Sequence, residues 1–162
     1  MIEITNDLKV SRYMYNISYP YRMKDAKWWI NKCIKGIKEK PRKDYNFHIE
    51  LKPNKKVIGS IGLFVKKYHG TANLGYLLER KYHRQGIMSE ALGKILEFAF
   101  KRLKLRRINA DVCKENKPSY ILLKKFGFKR EGLRRKFKKM NSTGKIHDVY
   151  VYGLLKEDYK KI

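Results

Sequence analysis

The stretch Gly75 to Phe100, GYLLERKYHRQGIMSEALGKILEFAF, divides into three parts with different patterns. Gly75 to Leu78 is apolar and β-compatible. Glu79 to Gln85 is a charged connector, and from Gly86 apolar residues recur at Met88, Ala91/Leu92, Ile95, Ala99 and Leu103. That recurrence is the spacing of one buried helix face, so the stretch predicts strand, turn, helix. A glycine feeding a helix start gathers unpaired backbone N–H groups at the positive end of the helix dipole, and Lys81, His83 and Arg84 add cationic side chains. Such a place binds phosphate. The spacing alone equally allows a plain turn at Gly86 into a surface helix.

Upstream, Met23 to Lys40 predicts a helix with Ala26, Trp29, Ile30, Cys33 and Ile37 on one side and lysines on the other. Trp28 and Trp29 read as core, because aromatic residues at helical spacing usually pack. Strands are expected at Asn46 to Leu51, Val57 to Lys66 and Ala72 to Leu78, punctuated by Pro53-Asn54-Lys55 and by His69-Gly70-Thr71. Downstream, Arg107 to Cys113 alternates as a half-buried strand, and Pro118 to Phe126 reads as a helix begun behind Asn116. Phe128 to Phe137 and Asp148 to Leu155 complete an α+β order on a mixed sheet.

With 162 residues the chain fits a single domain, 1–162, with a real core. Its 40 Lys+Arg against 15 Asp+Glu give a formal charge of +25, which attracts polyanions without naming one. A lysine-biased composition would give the same number. Cys33 and Cys113 form no C-x-x-C pattern, and the four histidines show no ligand spacing, so reduced thiols and no metal are expected. There is no signal peptide and no apolar run able to span a membrane, which predicts a cytoplasmic protein.

Tyr82-His-Arg-Gln-Gly-Ile-Met-Ser-Glu-Ala91 resembles the acetyl-CoA signature of the GNAT acetyltransferase superfamily, Q/R-x-x-G-x-G/A, in the variant of the RimJ/RimL-type protein N-acetyltransferases. It departs from that pattern at His83, at Arg84 (a glycine in the variant) and at Met88. ENKPSYILLKKFGFKREGLRR resembles the family's second signature, N-x-x-S-x-x-x-x-x-K-x-G-F-x-x-E-G, at Asn116, Ser119, Lys125, Gly127, Phe128, Glu131 and Gly132. The ending HDVYVYGLL resembles the closing D-x-x-x-Y-x-L strand. The resemblance covers residues 9 to 157 and implies the GNAT fold, a mixed and mostly antiparallel sheet of about six to seven strands flanked by about four helices. It also implies a shortened beginning, with the first strand reduced to Ile2-Glu3-Ile4 or the start late.

Amine acetylation needs a seat for the cofactor phosphates, polarisation of the thioester carbonyl, removal of an amine proton and protonation of the leaving thiolate. By resemblance, acetyl-CoA meets His83, Arg84, Gln85, Gly86, Ile87, Met88 and Ser89 with its phosphates, Leu77 and a backbone N–H near Leu78 with its thioester, and Lys125 nearby. Asn116 would bond the pantetheine arm, and Ser119 would be the general acid. Without the motif, Asn116 and Ser119 read as an ordinary helix-start pair. The general base is Glu131 or Asp111, either of which could equally be a salt-bridged surface carboxylate. Asp148 reads as structural.

The acceptor implied is a protein N-terminal α-amine, whose pKa near about 8 leaves part of it neutral, unlike lysine near roughly 10.4. A small amine or polyamine is the alternative acceptor. The resemblance also gives Trp28, Trp29 and Tyr19-Pro20-Tyr21 a second reading, as residues beside the acceptor groove. A second class of reading is a non-catalytic protein binding CoA or RNA. Basic clusters at Lys101-Arg102-Lys104-Arg106-Arg107 and Arg134-Arg135-Lys136-Lys138-Lys139 are solvated faces or, if they share one face, a contact for RNA or the ribosome. The residues leave the oligomeric state open between monomer and homodimer.

Overall fold

The computed structural model describes residues 1–52 and 54–159. Two single-turn helices, α1 (Ile2–Thr5) and α2 (Leu8–Ser11), precede α3 (Met23–Lys38). Strands β1 (Asp44–Leu51), β2 (Lys56–Lys66) and β3 (Thr71–Leu78) follow as an antiparallel meander. Then come α4 (Ile87–Glu97), prolonged by a π-helical turn at Phe98–Arg102, β4 (Arg107–Cys113), α5 (Lys117–Lys125), β5 (Lys129–Lys139) and β6 (Ile146–Leu155). The six strands lie in the order β1-β2-β3-β4-β6-β5, and only the β3/β4 pair is parallel. This is the α+β architecture that the pattern of elements predicts.

One face of the sheet is covered by α4 and α5. Leu92, Ile95, Leu96 and Ala99, the apolar stripe of α4, pack with Leu123 and Phe126 against Ile61, Leu63, Ala72 and Ile108. The other face carries a smaller cluster in which Ile4 and Ile17 meet Leu77. A β3/β4 crossover needs a helix because the two strands are parallel, and α4 provides it.

Three expectations give way. Ile2–Ile4 is helical, not a strand: the amides of Thr5 and Asn6 are satisfied locally by the carbonyls of Met1 and Ile2. Ile30 and Ile37 of α3 are 50% and 58% exposed, because the helix rests on a narrow strip containing Ala26, Cys33 and Gly36, and its apolar arc is wider than that contact. Trp28 is 63% exposed and is not core. The turn before Lys56 uses Asn54, whose Oδ1 accepts from the Lys56 amide, and Lys55 at φ 53°. Its Pro53 lies outside the described residues.

Candidate active site

β3 and β4 pair only from Thr71 to Asn73 and from Arg107 to Asn109. Beyond Asn73 the two strands diverge, and a cleft of about 780 Å³ occupies the fork. The Glu79 amide donates to the Ile58 carbonyl. Because an antiparallel ladder alternates, that bond turns the Leu78 and Tyr76 amides away from β2 and towards the fork. Among the described residues these two amides have no backbone partner, so the strand presents donors where β4 no longer covers it.

Ser119 stands in the first turn of α5 and lines the cleft. Its Oγ lies 2.7 Å from the Tyr76 hydroxyl, which also lies 3.3 Å from the Ser119 carbonyl oxygen. Burial pushes the Tyr76 phenol up to about 12, so it is protonated at any ordinary pH. Asn116 is the N-cap of α5, yet its side chain makes no capping bond. Its amide lines the same cleft, at the helix end where a capping asparagine would have been consumed.

The two candidate bases part company. Asp111 lines the cleft and pairs with Lys138 at 3.0 Å and Arg134 at 3.7 Å. Glu131 is outside the cleft lining, clasped through both oxygens by the Arg107 guanidinium. That guanidinium holds the Glu131 carboxyl below the usual glutamate range, which weakens it as a proton acceptor. Asp148 accepts the Lys136 amide at 2.8 Å.

The loop from His83 to Ser89 lies at the C-terminal end of β3. Arg84 has φ 62° and Gly86 φ 79°, so the arginine keeps the left-handed backbone that a glycine would supply. The first helical bond of α4 runs from the Glu90 amide to the Gly86 carbonyl. The amides of Ile87, Met88 and Ser89 therefore precede the ladder and are available to an anion. Lys125 reaches Ser89 Oγ at 3.2 Å and brings a cation to this end. His83 is turned the other way, with Nε2 donating to the Leu78 carbonyl, and Gln85 donates to the Lys81 carbonyl. Leu77 lines the cleft, whereas the Leu78 side chain is buried.

Several cleft residues escaped sequence reading. Tyr76 had one available signal: a tyrosine alternating with Leu74 and Leu78 on a core face needs a partner for its hydroxyl. Tyr15 and Lys138 also line the cleft, and no spacing connects them, whereas Trp28 and Trp29 line it in keeping with their second, acceptor-side reading and not with the core one. Among the described residues no three His, Cys, Asp or Glu side chains gather as metal ligands, and no helix is long and apolar enough to cross a membrane.

Residues 1–129 match the family described as the Acetyltransferase (GNAT) domain. The uncharacterized N-acetyltransferase p20 of Bacillus licheniformis is 40% identical over 114 residues, 70% of this chain and 63% of that relative. The match thus spans less than two thirds of p20's length. The uncharacterized N-acetyltransferase YnaD of Bacillus subtilis is 35% identical over 160 residues, 97% of this chain and 86% of the relative. A crystal structure of a GNAT-family acetyltransferase from Bacillus anthracis superposes with TM-score 0.78 at 29% identity, covering 97% of this chain and 87% of that one. Two more distant structures share the fold. A Vibrio cholerae spermidine N-acetyltransferase in complex with CoA and spermine has TM-score 0.80 at 21% identity, covering 97% of this chain and 88% of its own. A Vibrio fischeri ribosomal-protein-S5-alanine acetyltransferase has TM-score 0.79 at 22% identity, covering 98% and 89%.

Proposed function

Because the chain belongs to the GNAT acetyltransferase family, we propose that it moves the acetyl group of acetyl-CoA to a primary amine, with a protein N-terminal α-amine of the RimJ/RimL kind as acceptor. The observation that carries this reading is the cleft in the β3/β4 fork, where a tyrosine-bonded serine, an uncapped asparagine amide and a carboxylate face one space.

The α4 amides, Arg84 and Lys125 would hold the phosphates of acetyl-CoA, and Asn116 would bond its pantetheine arm beside the fork. The amine nitrogen attacks the thioester carbonyl carbon. The oxyanion that forms is met by an amide on the open side of β3 near Leu78, and such preorganised donors are often the largest catalytic contribution. Asp111 takes the amine proton, directly or through one water, since it faces the cleft and Glu131 does not. The C–S bond then breaks, Ser119 gives its proton to the thiolate and regains one from Asp111 through water, and an acetamide and free CoA leave.

The distant structural neighbours are named for acceptors of both kinds, a ribosomal protein and a polyamine. A surface of +25 repels a free polycation and suits an acceptor presented on a polyanion such as the ribosome. Most residues of β5 are exposed, and its basic side chains lie along the sheet's edge where RNA could approach. Polyamine acetylation keeps one observation in its favour, the aromatic cleft lining with Asp25 and Asp111. The test is thiol release from acetyl-CoA with N-terminal peptides, lysine peptides, polyamines and small amines. Fastest turnover on α-amine peptides supports the reading. No turnover on any amine, together with tight CoA binding, would replace it with a binding function.

A further inference from the structure

β5 does not pair evenly with β6. Arg134 stands opposite Val149 and Lys138 opposite His147, so β5 spends four residues where β6 spends two. Within this bulge Lys136 takes a left-handed φ of 46°, and its amide is held by Asp148. A strand bends at a bulge, and bulges near functional clefts re-aim a side chain. Here the re-aimed side chain is Lys138. It reaches across β6 to β4, places Nζ 3.0 Å from Asp111 Oδ2, and lies 4.5 Å from the centre of the Tyr15 ring. Lys138, Asp111 and Tyr15 all line the cleft.

A carboxylate and an aromatic face converging on one point are what an alkylammonium ion binds. We propose that Asp111 and Tyr15 form the subsite that receives the acceptor's ammonium group, and that Lys138 is an internal occupant which the acceptor displaces on entry. The proposal rests on the reading of this cleft as an amine-acceptor site. Displacement leaves no stranded charge. Arg134, 3.7 Å from the same Asp111 oxygen, stays beside the carboxylate, and the lysine stem is long enough to return its ammonium to water. The exchange is ion for ion, so the tethered lysine lowers the acceptor's apparent affinity by the fraction of molecules in which it occupies the site.

The experiment measures binding alone, so that it can fail while transfer succeeds, and the reverse. n-Butylamine is titrated into the whole chain at neutral pH and followed by Trp28 and Trp29 fluorescence, with calorimetry as the check. Lys138→Met, which keeps the apolar stem, is expected to bind butylammonium about five- to tenfold more tightly than the parent chain, because the internal competitor is gone. Lys138→Ala is expected to do the same without filling the space. In the Lys138→Met background, Asp111→Asn is expected to weaken binding at least about tenfold by removing the charge partner. Unchanged or weaker binding by both Lys138 variants would overturn the proposal, as would an Asp111→Asn change without effect.

Discussion

A serine hydroxyl is a weak acid in water, and in the proposed reaction Tyr76 is the group that improves Ser119. Either hydroxyl can donate in the 2.7 Å pair, and in the proposed reaction the tyrosine donates to Oγ, which leaves the serine proton free for the cleft. A hydroxyl that accepts a hydrogen bond gives up its own proton more readily. Ser119→Ala is therefore expected to slow thiol release about a hundredfold, the scale of lost acid catalysis, while the KM for acetyl-CoA moves less than about twofold. A collapse of cofactor affinity would instead make Ser119 a binding residue. Tyr76→Phe is expected to cost about tenfold in turnover, and the double variant to be no slower than Ser119→Ala, because the two hydroxyls act as one unit. The raised phenol pKa has a signature of its own. Its contribution to stability is complete below pH 10.0, the ordinary tyrosine value, and is lost as pH rises towards about 12. Over that interval the denaturant midpoint should fall more in the parent chain than in Tyr76→Phe. The carboxylates divide similarly. Glu131→Gln should leave turnover within about threefold and Asp111→Asn should lower it by at least about tenfold, with the opposite ranking returning the base to Glu131. Sequence named Ser119 through its motif but could not weigh Glu131 against Asp111. That choice depends on Arg107 and Lys138, which lie 24 and 27 residues from their respective partners along the chain.

At the scale of elements, two glycines that look alike in a motif do different work. Gly127 sits at φ 90° after α5, where its amide returns to the Lys124 carbonyl and the Phe128 amide to that of Leu123. This is a left-handed helix stop, sealed by burial of both Phe128 and Leu123. A Cβ there would stand 2.7 Å from the Asp158 carbonyl oxygen as well as in a strained backbone. Gly127→Ala is accordingly expected to cost about 2 kcal/mol or more in urea unfolding. Gly86 has open space around its Cβ position, so only backbone strain opposes a side chain. Arg84 already bears such strain two residues earlier. Arg84→Gly should leave stability within about 1 kcal/mol, since relief of strain and added chain entropy nearly cancel. It should weaken CoA binding, and increasingly so at low salt, as loss of a phosphate-facing charge requires. An unchanged CoA affinity would remove Arg84 from the phosphate seat. Strands and helices were legible because their apolar periods of 2 and 3.6 are set by local geometry. The exposed half of α3 was not, because Ile30 and Ile37 follow the helical period whether or not anything covers them.

Across the whole molecule, the fork and the charge act together on what reaches the site. No local pattern of residues shows the fork, since nothing in β3 or β4 alone says that they stop pairing after three residues. The charge was plain from composition, and its effect on substrates can be separated by salt. The cofactor is an anion drawn towards a +25 surface, and a polyamine is a cation repelled by it. Screening weakens both effects, because the Debye length shrinks from about 20 Å at low salt to about 4 Å near 0.5 M. Raising salt across that range should therefore raise the KM for acetyl-CoA and lower the KM for spermidine, while an N-terminal peptide of zero net charge changes little. If spermidine's KM rose with salt instead, the local field of Asp25 and Asp111 in the cleft would outweigh the global one. The preference for α-amines would then lose its electrostatic basis, and the polyamine reading would take its place.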